Sequence, residues 1–203
     1  MGKKKQQASR RIVVFVTLVS VLSLTSALLL AIAPDPLRPD SASLLFASDT
    51  PEAIQGVFQT QVPPRAGRWK YIFVHQSRTA SGVMNPSVRN GLGSGDHFVI
   101  GNGEGAADGQ IQLCPRWDRQ TEAAPPAGAT EINPDCISIC LVGDFDRGVP
   151  TPNQLRRLTS LVNALQGRFD IRGQDVLLLT QSGATAGTGQ YFPVTAFREQ
   201  LLP

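Results

Sequence analysis

The sequence contains only two histidines, His75 and His97, and three cysteines, Cys114, Cys136 and Cys140. No two cysteines form a CxxC pair, so a zinc site built from cysteines is not expected. Cys136 and Cys140 are four residues apart on a predicted strand, roughly 13 Å at strand rise, which is too far for a disulfide between them. The sequence does not decide whether Cys114 and Cys136 form a disulfide. Cys140 is expected to be a small core residue.

Basic residues are concentrated at the amino end, and the rest of the chain has no basic run. The formal net charge is +3. Without Lys3, Lys4, Lys5, Arg10 and Arg11, 14 Lys and Arg residues remain against 16 Asp and Glu residues. Binding to nucleic acid needs a basic surface, so the sequence predicts no nucleic-acid partner.

No acidic residue occurs before Asp35, and no charged residue occurs from Ile12 to Ala33. As a helix this apolar run would be about 33 Å long, enough to cross a bilayer. We therefore expect residues 1–11 to be a basic cytoplasmic tail and residues 12–33 an uncleaved transmembrane signal-anchor, with the rest of the chain outside the cytoplasm. A cleavable signal peptide is the alternative, although this run exceeds the usual ~7–15-residue signal core.

Residues 34–67 are rich in Pro, Ser, Ala and Asp and show no sustained periodicity. They are predicted to form a tether, with a short docked segment at residues 54–58. Residues 68–203 remain for the folded domain, and roughly 135 residues are enough for one ordinary core.

Four segments of this domain have strand patterns. Residues 69–75 alternate large and small side chains and end on His75. Residues 97–101 and 110–113 flank the turn-forming sequence NGEGAADG, which predicts a hairpin, and a calcium site there is not expected because EF-hand spacing is missing. Residues 137–142 are apolar on both faces, as in a central strand, and a further strand is predicted at residues 175–179.

One long amphipathic helix follows the central strand, and its apolar residues form one stripe: Leu155, Leu158, Leu161, Val162 and Leu165. Thr151 is a good N-cap, Pro152 suits the first helical position, and Gln154 completes a capping box. Gly167 is predicted to be the left-handed residue that ends the helix. A short helical piece near residues 86–90, a loop over residues 117–134 and a closing helix at residues 193–201 are also predicted. The element order predicts an α/β fold, with a single mixed β-sheet flanked by helices.

Three segments in this order resemble the zinc-dependent N-acetylmuramoyl-L-alanine amidases: FVHQSRTASG, DHFVIGNGEGAADGQI, and ISICLVGDF with PTPNQLRRLTSLVNAL. The resemblance runs from about Trp69 to Pro203 and extends to phage amidase-type lysozymes and peptidoglycan recognition proteins. It implies peptidoglycan or a muropeptide as the ligand and cleavage of the bond between muramic acid and the stem peptide. In this family two histidines and a cysteine hold zinc, and the fourth position takes water or substrate.

The resemblance also implies a degenerate metal site. His75 matches the first ligand, whereas Gly187 stands at the cysteine position, and the second histidine would fall at residues 179–181, where none occurs. Asp96 stands where the family has an assisting Tyr, and Thr185 matches a Thr of the closing motif, so these two are the candidate catalytic positions. Three ligands could be recovered only by recruiting Asp96 or a cysteine from elsewhere, so no zinc cofactor is expected.

His97 matches a neighbouring histidine that does not bind metal in the family, so a structural role is expected. His75 is a candidate substrate-binding residue lining a groove, or else a strand-end histidine bonded to a loop. Trp117, with Arg116 and Arg119 beside it, is a candidate for contact with glycan or carboxylate groups.

These observations lead to one leading hypothesis and two alternatives. The leading hypothesis is a membrane-anchored, non-catalytic relative of the amidases that binds peptidoglycan at the cell envelope. One alternative is an active amidase with unconventional metal ligands such as Asp96. The other is a structural envelope protein that has protein partners only.

Overall fold

The computed structural model describes residues 15–21, 23, 25, 45–46, 54–82, 95–125, 131–178 and 187–203. The chain divides into two compact units between Arg38 and Pro39. In the first unit, residues 15–21 are helical and their side chains are exposed. Within the described ranges, no helix combines the length and the apolar character needed to cross a membrane. Most of the anchor predicted at residues 12–33 lies outside those ranges, so it stays a prediction.

The second unit is built on one six-stranded mixed sheet. Its strands are β1 Leu45–Phe46, β2 Tyr71–Gln76, β3 Phe98–Ile100, β4 Ile111–Leu113, β5 Cys136–Leu141 and β6 Val176–Leu178. Their order across the sheet is β1-β4-β3-β5-β2-β6. Strands β3, β5, β2 and β6 run parallel, whereas β4 is antiparallel to both β3 and β1. The predicted hairpin and central strand are therefore confirmed.

Among the residues that the structure describes, three α-helices accompany the sheet: α1 Pro115–Asp118, α2 Pro152–Phe169 and α3 Val194–Arg198. The predicted capping box of α2 is present, with Thr151 and Gln154 exchanging side-chain and backbone hydrogen bonds. The predicted end at Gly167 is wrong, because the left-handed residue is Asp170, at φ 58°. Phe169 is buried against Trp117 with 6.1 Å between ring centroids, so core packing extends the helix past the glycine.

The main core lies between α2 and one face of the sheet. Strand alternation points every second residue toward the helix. The buried strand residues on this face are apolar, and they are Ile72, Val74, Phe98, Ile100, Ile137, Ile139 and Leu141. The helix contributes the predicted stripe Leu158, Leu161, Val162 and Leu165, all fully buried. Burial of each such side chain stabilises the fold by roughly 1.5–3 kcal/mol.

Residues ahead of Arg68 also belong to this core. Ile54 and Val57 are buried there, which confirms the predicted docked segment. The Trp117 indole Nε1 donates a hydrogen bond to the Val57 carbonyl at 2.6 Å. Trp117 lies in α1, so the predicted loop contains a short helix instead. The helical piece predicted near residues 86–90 lies outside the described ranges.

Candidate functional site

Polar side chains occupy the face of the sheet opposite the main core. Alternation in β2 places Phe73 and His75 on this face, and alternation in β5 places Ser138 and Cys140 there. The parallel register sets His75 directly beside Cys140, and Val99 of β3 lies directly beside Cys140 on its other side. The sheet backbone therefore fixes the separation of the histidine and the cysteine.

His75 forms a buried ion pair with Asp96. Its Nε2 lies 2.8 Å from Asp96 Oδ1, and its Nδ1 lies 3.1 Å from the Gln76 carbonyl oxygen. Both neighbours are hydrogen-bond acceptors, so the ring is satisfied in this arrangement only when both nitrogens carry protons. Ser138 Oγ donates to the same Asp96 oxygen at 2.6 Å, and the His75 ring stacks on Phe73 at a centroid distance of 5.4 Å.

The pair stabilises its own charges. Burial by itself would lower the pKa of His75, but the charge and hydrogen bond of Asp96 and the Gln76 carbonyl raise it above its usual value. Burial would raise the pKa of Asp96, but the charge of His75 and the hydrogen bonds from His75 and Ser138 lower it. The geometry thus favours imidazolium and carboxylate together over the neutral pair.

His97 has a different arrangement of partners. The Ser138 backbone N–H donates to its Nδ1 at 3.0 Å, so its Nε2 carries the proton and donates to the Thr121 carbonyl at 2.8 Å. Burial lowers the pKa of His97 to about 4. Its ring packs edge-on against Trp69 at 4.8 Å and Trp117 at 5.9 Å. These contacts give His97 a structural role, as expected.

All three cysteines are buried, and none is in a disulfide. The Cys114–Cys136 bridge considered from the sequence is therefore absent. Burial, together with the charges of Asp96 and Cys114, raises the pKa of the Cys140 thiol well above its usual value. The His75, Asp96 and Cys140 side chains each offer one ligand atom, and these atoms all lie within 4.8 Å of one another.

A zinc ion at the position that the family resemblance implies does not fit these residues. The Gly187 carbonyl accepts a hydrogen bond from the Gln76 backbone N–H at 2.8 Å, which places Gly187 beside the end of β2, next to His75. Glycine has no side chain that could bind a metal there. Residues 179–181 lie outside the described ranges and are Leu, Thr and Gln. His75 is the one ligand that the resemblance retains, so no hydrolytic step through that zinc position is derived.

Loops at the end of β2 form a connected rim above this site. Gln76 Nε2 donates to Asp146 Oδ2 at 2.8 Å, and its Oε1 accepts from the Phe145 backbone N–H. Arg78 forms an ion pair with Asp146 at 3.3 Å. Gly189 has φ +84°, and a Cβ there would lie 2.5 Å from the Phe145 carbonyl carbon. Glycine is therefore required for the close approach of these two loops.

The remaining predicted site residues are not gathered at His75. Trp117 is fully buried beneath the docked segment, so its ring has no accessible surface for a sugar, and the predicted glycan contact does not fit its position. Arg116 is half-buried and donates to the Glu122 carbonyl at 2.6 Å, whereas Arg119 is exposed. Thr185 lies outside the described ranges.

Ser138 and Cys140 were not predicted as site residues. The alternation in ISICL does separate them from Ile137, Ile139 and Leu141, which is a detectable signal. The sequence shows that they share a face, but it does not show that β5 lies beside β2. The pairing of β5 with β2 brings them to His75, and the pairing of β5 with β3 brings them to Asp96.

Solved structures of an amidase and of a PGRP resemble this chain. An endolysin N-acetylmuramoyl-L-alanine amidase, LysCS from Clostridium intestinale, is 23% identical, with 70% of this chain and 90% of that chain covered and a TM-score of 0.46. PGRP-Hd from Alvinella pompejana is 17% identical, with 73% and 95% covered and a TM-score of 0.41.

No curated protein matches the sequence. The family model of N-acetylmuramoyl-L-alanine amidase matches residues 65–188, which is more than half of the chain. That match includes β2, the hairpin, β5, α2 and β6, and so covers the whole parallel part of the sheet. The chain therefore belongs to the N-acetylmuramoyl-L-alanine amidase family.

Proposed function

We propose that this protein is a membrane-anchored member of the amidase family that binds peptidoglycan and does not hydrolyse it. The anchor is the apolar run at residues 12–33, and the domain lies on the extracytoplasmic side. The match of residues 65–188 to the amidase family supports a ligand taken from peptidoglycan.

One observation carries the non-hydrolytic part of the proposal. Hydrolysis by this family needs a zinc ion with one position open to water or substrate. Here Gly187 occupies the place of a ligand, and His75 is 6% exposed and bonded to Asp96. With two of the family's three ligands missing, His75 alone does not hold a catalytic ion at that position.

Binding needs a surface that can recognise an anionic muropeptide, whose stem carries carboxylates. Arginine recognises carboxylates with two parallel hydrogen bonds. Arg119 is exposed close to α1 and is the sequence-predicted residue best placed to make such a contact. Arg168, near the end of α2, is also exposed and provides a matched control.

The test uses the full-length protein in detergent, incubated with isolated sacculi. We expect the protein to sediment with the sacculi and to release no stem peptide detectable by mass spectrometry. Arg119→Ala should weaken co-sedimentation, and Arg168→Ala should not. Release of stem peptide that is abolished by His75→Ala would establish the active amidase instead. Failure of the wild-type protein to co-sediment would leave the structural envelope protein.

A further inference from the structure

Three different donor atoms meet on the polar face of the sheet. They are an imidazole nitrogen of His75, a carboxylate oxygen of Asp96 and the sulfur of Cys140, all within 4.8 Å of one another. The three residues are 6%, 7% and 1% exposed. We propose that this chain binds one thiophilic divalent cation, such as Zn²⁺, between His75, Asp96 and Cys140.

This site differs from the one that the family resemblance implies. The implied site combines His75 with residues late in the chain, where Gly187 now stands. The proposed site keeps His75 and takes its other two ligands from the sheet itself, from β5 and from the residue two positions before β3. It replaces the expectation from the sequence that no metal binds. Its two new ligands are Asp96 and a cysteine, the residues that the sequence analysis named as possible substitutes.

The ligands are already in position before a cation arrives. The parallel register sets His75 beside Cys140, so the backbone needs no rearrangement. Ser138 Oγ holds the Asp96 carboxylate at 2.6 Å, and Phe73 stacks on the imidazole. Such outer contacts orient metal ligands and raise affinity. Little conformational entropy remains to be lost on binding, because these side chains are ordered without the cation.

The charge of the site is the same with and without the cation. Without it, the site holds an imidazolium, a carboxylate and a thiol, which sum to zero. A divalent cation displaces one proton from His75 Nε2 and one from Cys140 Sγ, and both protons leave to solvent. The site then holds a dication, a neutral imidazole, a carboxylate and a thiolate, which again sum to zero. Exchange of two protons for one cation therefore adds no net charge to a buried region.

The mixture of donors selects the class of metal. Nitrogen and sulfur ligands favour Zn²⁺ and Co²⁺ over Mg²⁺ and Ca²⁺, which prefer oxygen. All three ligands are more than nine-tenths buried, so the cation would be enclosed. Because the ligands are buried and the cation binds only the folded state, we expect it to stabilise the fold rather than to act on substrate. This inference does not depend on whether the protein binds peptidoglycan.

The experiment uses the full-length protein in detergent, stripped with a chelator and dialysed against Zn²⁺ or Co²⁺. Elemental mass spectrometry should find about one ion per chain. The Co²⁺ form should show the near-ultraviolet charge-transfer band of a thiolate bound to cobalt. Added Zn²⁺ should raise the Tm of the stripped protein, because it binds only the folded state.

Two cysteine variants form a matched pair, because Cys136 and Cys140 are buried on the same strand and the same face. Cys140→Ala should abolish the thiolate band, whereas Cys136→Ala should keep it. Asp96→Asn should weaken Co²⁺ binding by more than about 10-fold. Circular dichroism of the stripped variants checks that each is folded. If Cys140→Ala does not fold, Cys140→Ser replaces it in the experiment.

Two results would overturn the proposal. The first is wild-type protein that retains no ion and shows no thiolate band at saturating Co²⁺, which needs no variant to interpret. The second is a thiolate band that survives in Cys140→Ala or disappears in Cys136→Ala, since either outcome assigns the thiolate to another residue.

Discussion

His75 and His97 are both buried against strand β5, yet their ring nitrogens face different partners. His75 lies between two acceptors, the Asp96 carboxylate and the Gln76 carbonyl. His97 lies between one donor, the Ser138 N–H, and one acceptor, the Thr121 carbonyl. The partners of His75 require a protonated, positively charged ring, and the partners of His97 require a neutral ring. Burial is the same in both, so the chemistry of the nearest atoms decides the charge.

This difference separates a ligand from a structural residue. In the proposed cation site, the metal ion replaces the proton on His75 Nε2 and the proton on Cys140 Sγ, and the Asp96 carboxylate is the third ligand. Protonation of His97 at Nδ1 would set two N–H groups against each other. Ser138 takes part in both environments, since its hydroxyl bonds Asp96 and its backbone N–H bonds His97.

The largest expected effect comes from breaking the His75 ion pair in metal-free protein. His75→Ala leaves the Asp96 carboxylate buried without its cation, so the free energy of unfolding at pH 7 should fall by about 3–5 kcal/mol. Urea titration measures this loss. The double variant His75→Ala with Asp96→Asn should recover much of it, because no charge is left behind. Equal losses in the single and double variants would show that the pair is not ionic.

The next effect is a change in the free energy of unfolding with pH that is caused by the protonation of His97. Burial lowers its pKa from 6.5 to about 4, and the nearby charges of Arg116 and Arg68 also oppose its protonation. Between these values the unfolded chain binds a proton that the folded protein does not. Stability should therefore fall as the pH drops from about 6.5 to about 4, by about 3 kcal/mol in total.

Unfolding midpoints in urea across this pH range measure the fall, and His97→Gln should remove it even if that variant is less stable at pH 7. His75 should affect the stability over a different pH range. Its pKa is raised, so its contribution is complete below about 6.5 and is lost as the pH rises through its folded pKa. A slope on the acid side that persists in His97→Gln would assign the effect elsewhere.

The smallest expected effect on stability comes from Ser138, which contacts both Asp96 and His97. Ser138→Ala removes the hydroxyl that bonds Asp96 and keeps the backbone N–H that bonds His97. The free energy of unfolding should fall by about 1.5–3 kcal/mol, as for a hydrogen bond to a charged group. The slope between pH 6.5 and 4 should stay as in the wild-type protein. A changed slope would mean that the two histidines are coupled through Ser138.

Much of the fold could be predicted from local patterns. The capping box at Thr151 and the leucine stripe of α2 were predicted because each depends on neighbours three or four residues away. The end of α2 was not, since the contact that carries the helix past Gly167 is a core contact of Phe169. The core position of Trp117 was missed for a similar reason, because a segment 60 residues earlier in the chain covers it.

By itself, the sequence determined the family and the order of strands and helices, and it showed that no histidine follows His97. These follow from residue identity and from periodicity along the chain. Only the tertiary structure decided what surrounds His75. The pairing of β2 with β5 brings Cys140 beside it, and the path into β3 brings Asp96. The charge of a buried histidine depends on atoms within hydrogen-bond distance, and those atoms come from distant parts of the chain.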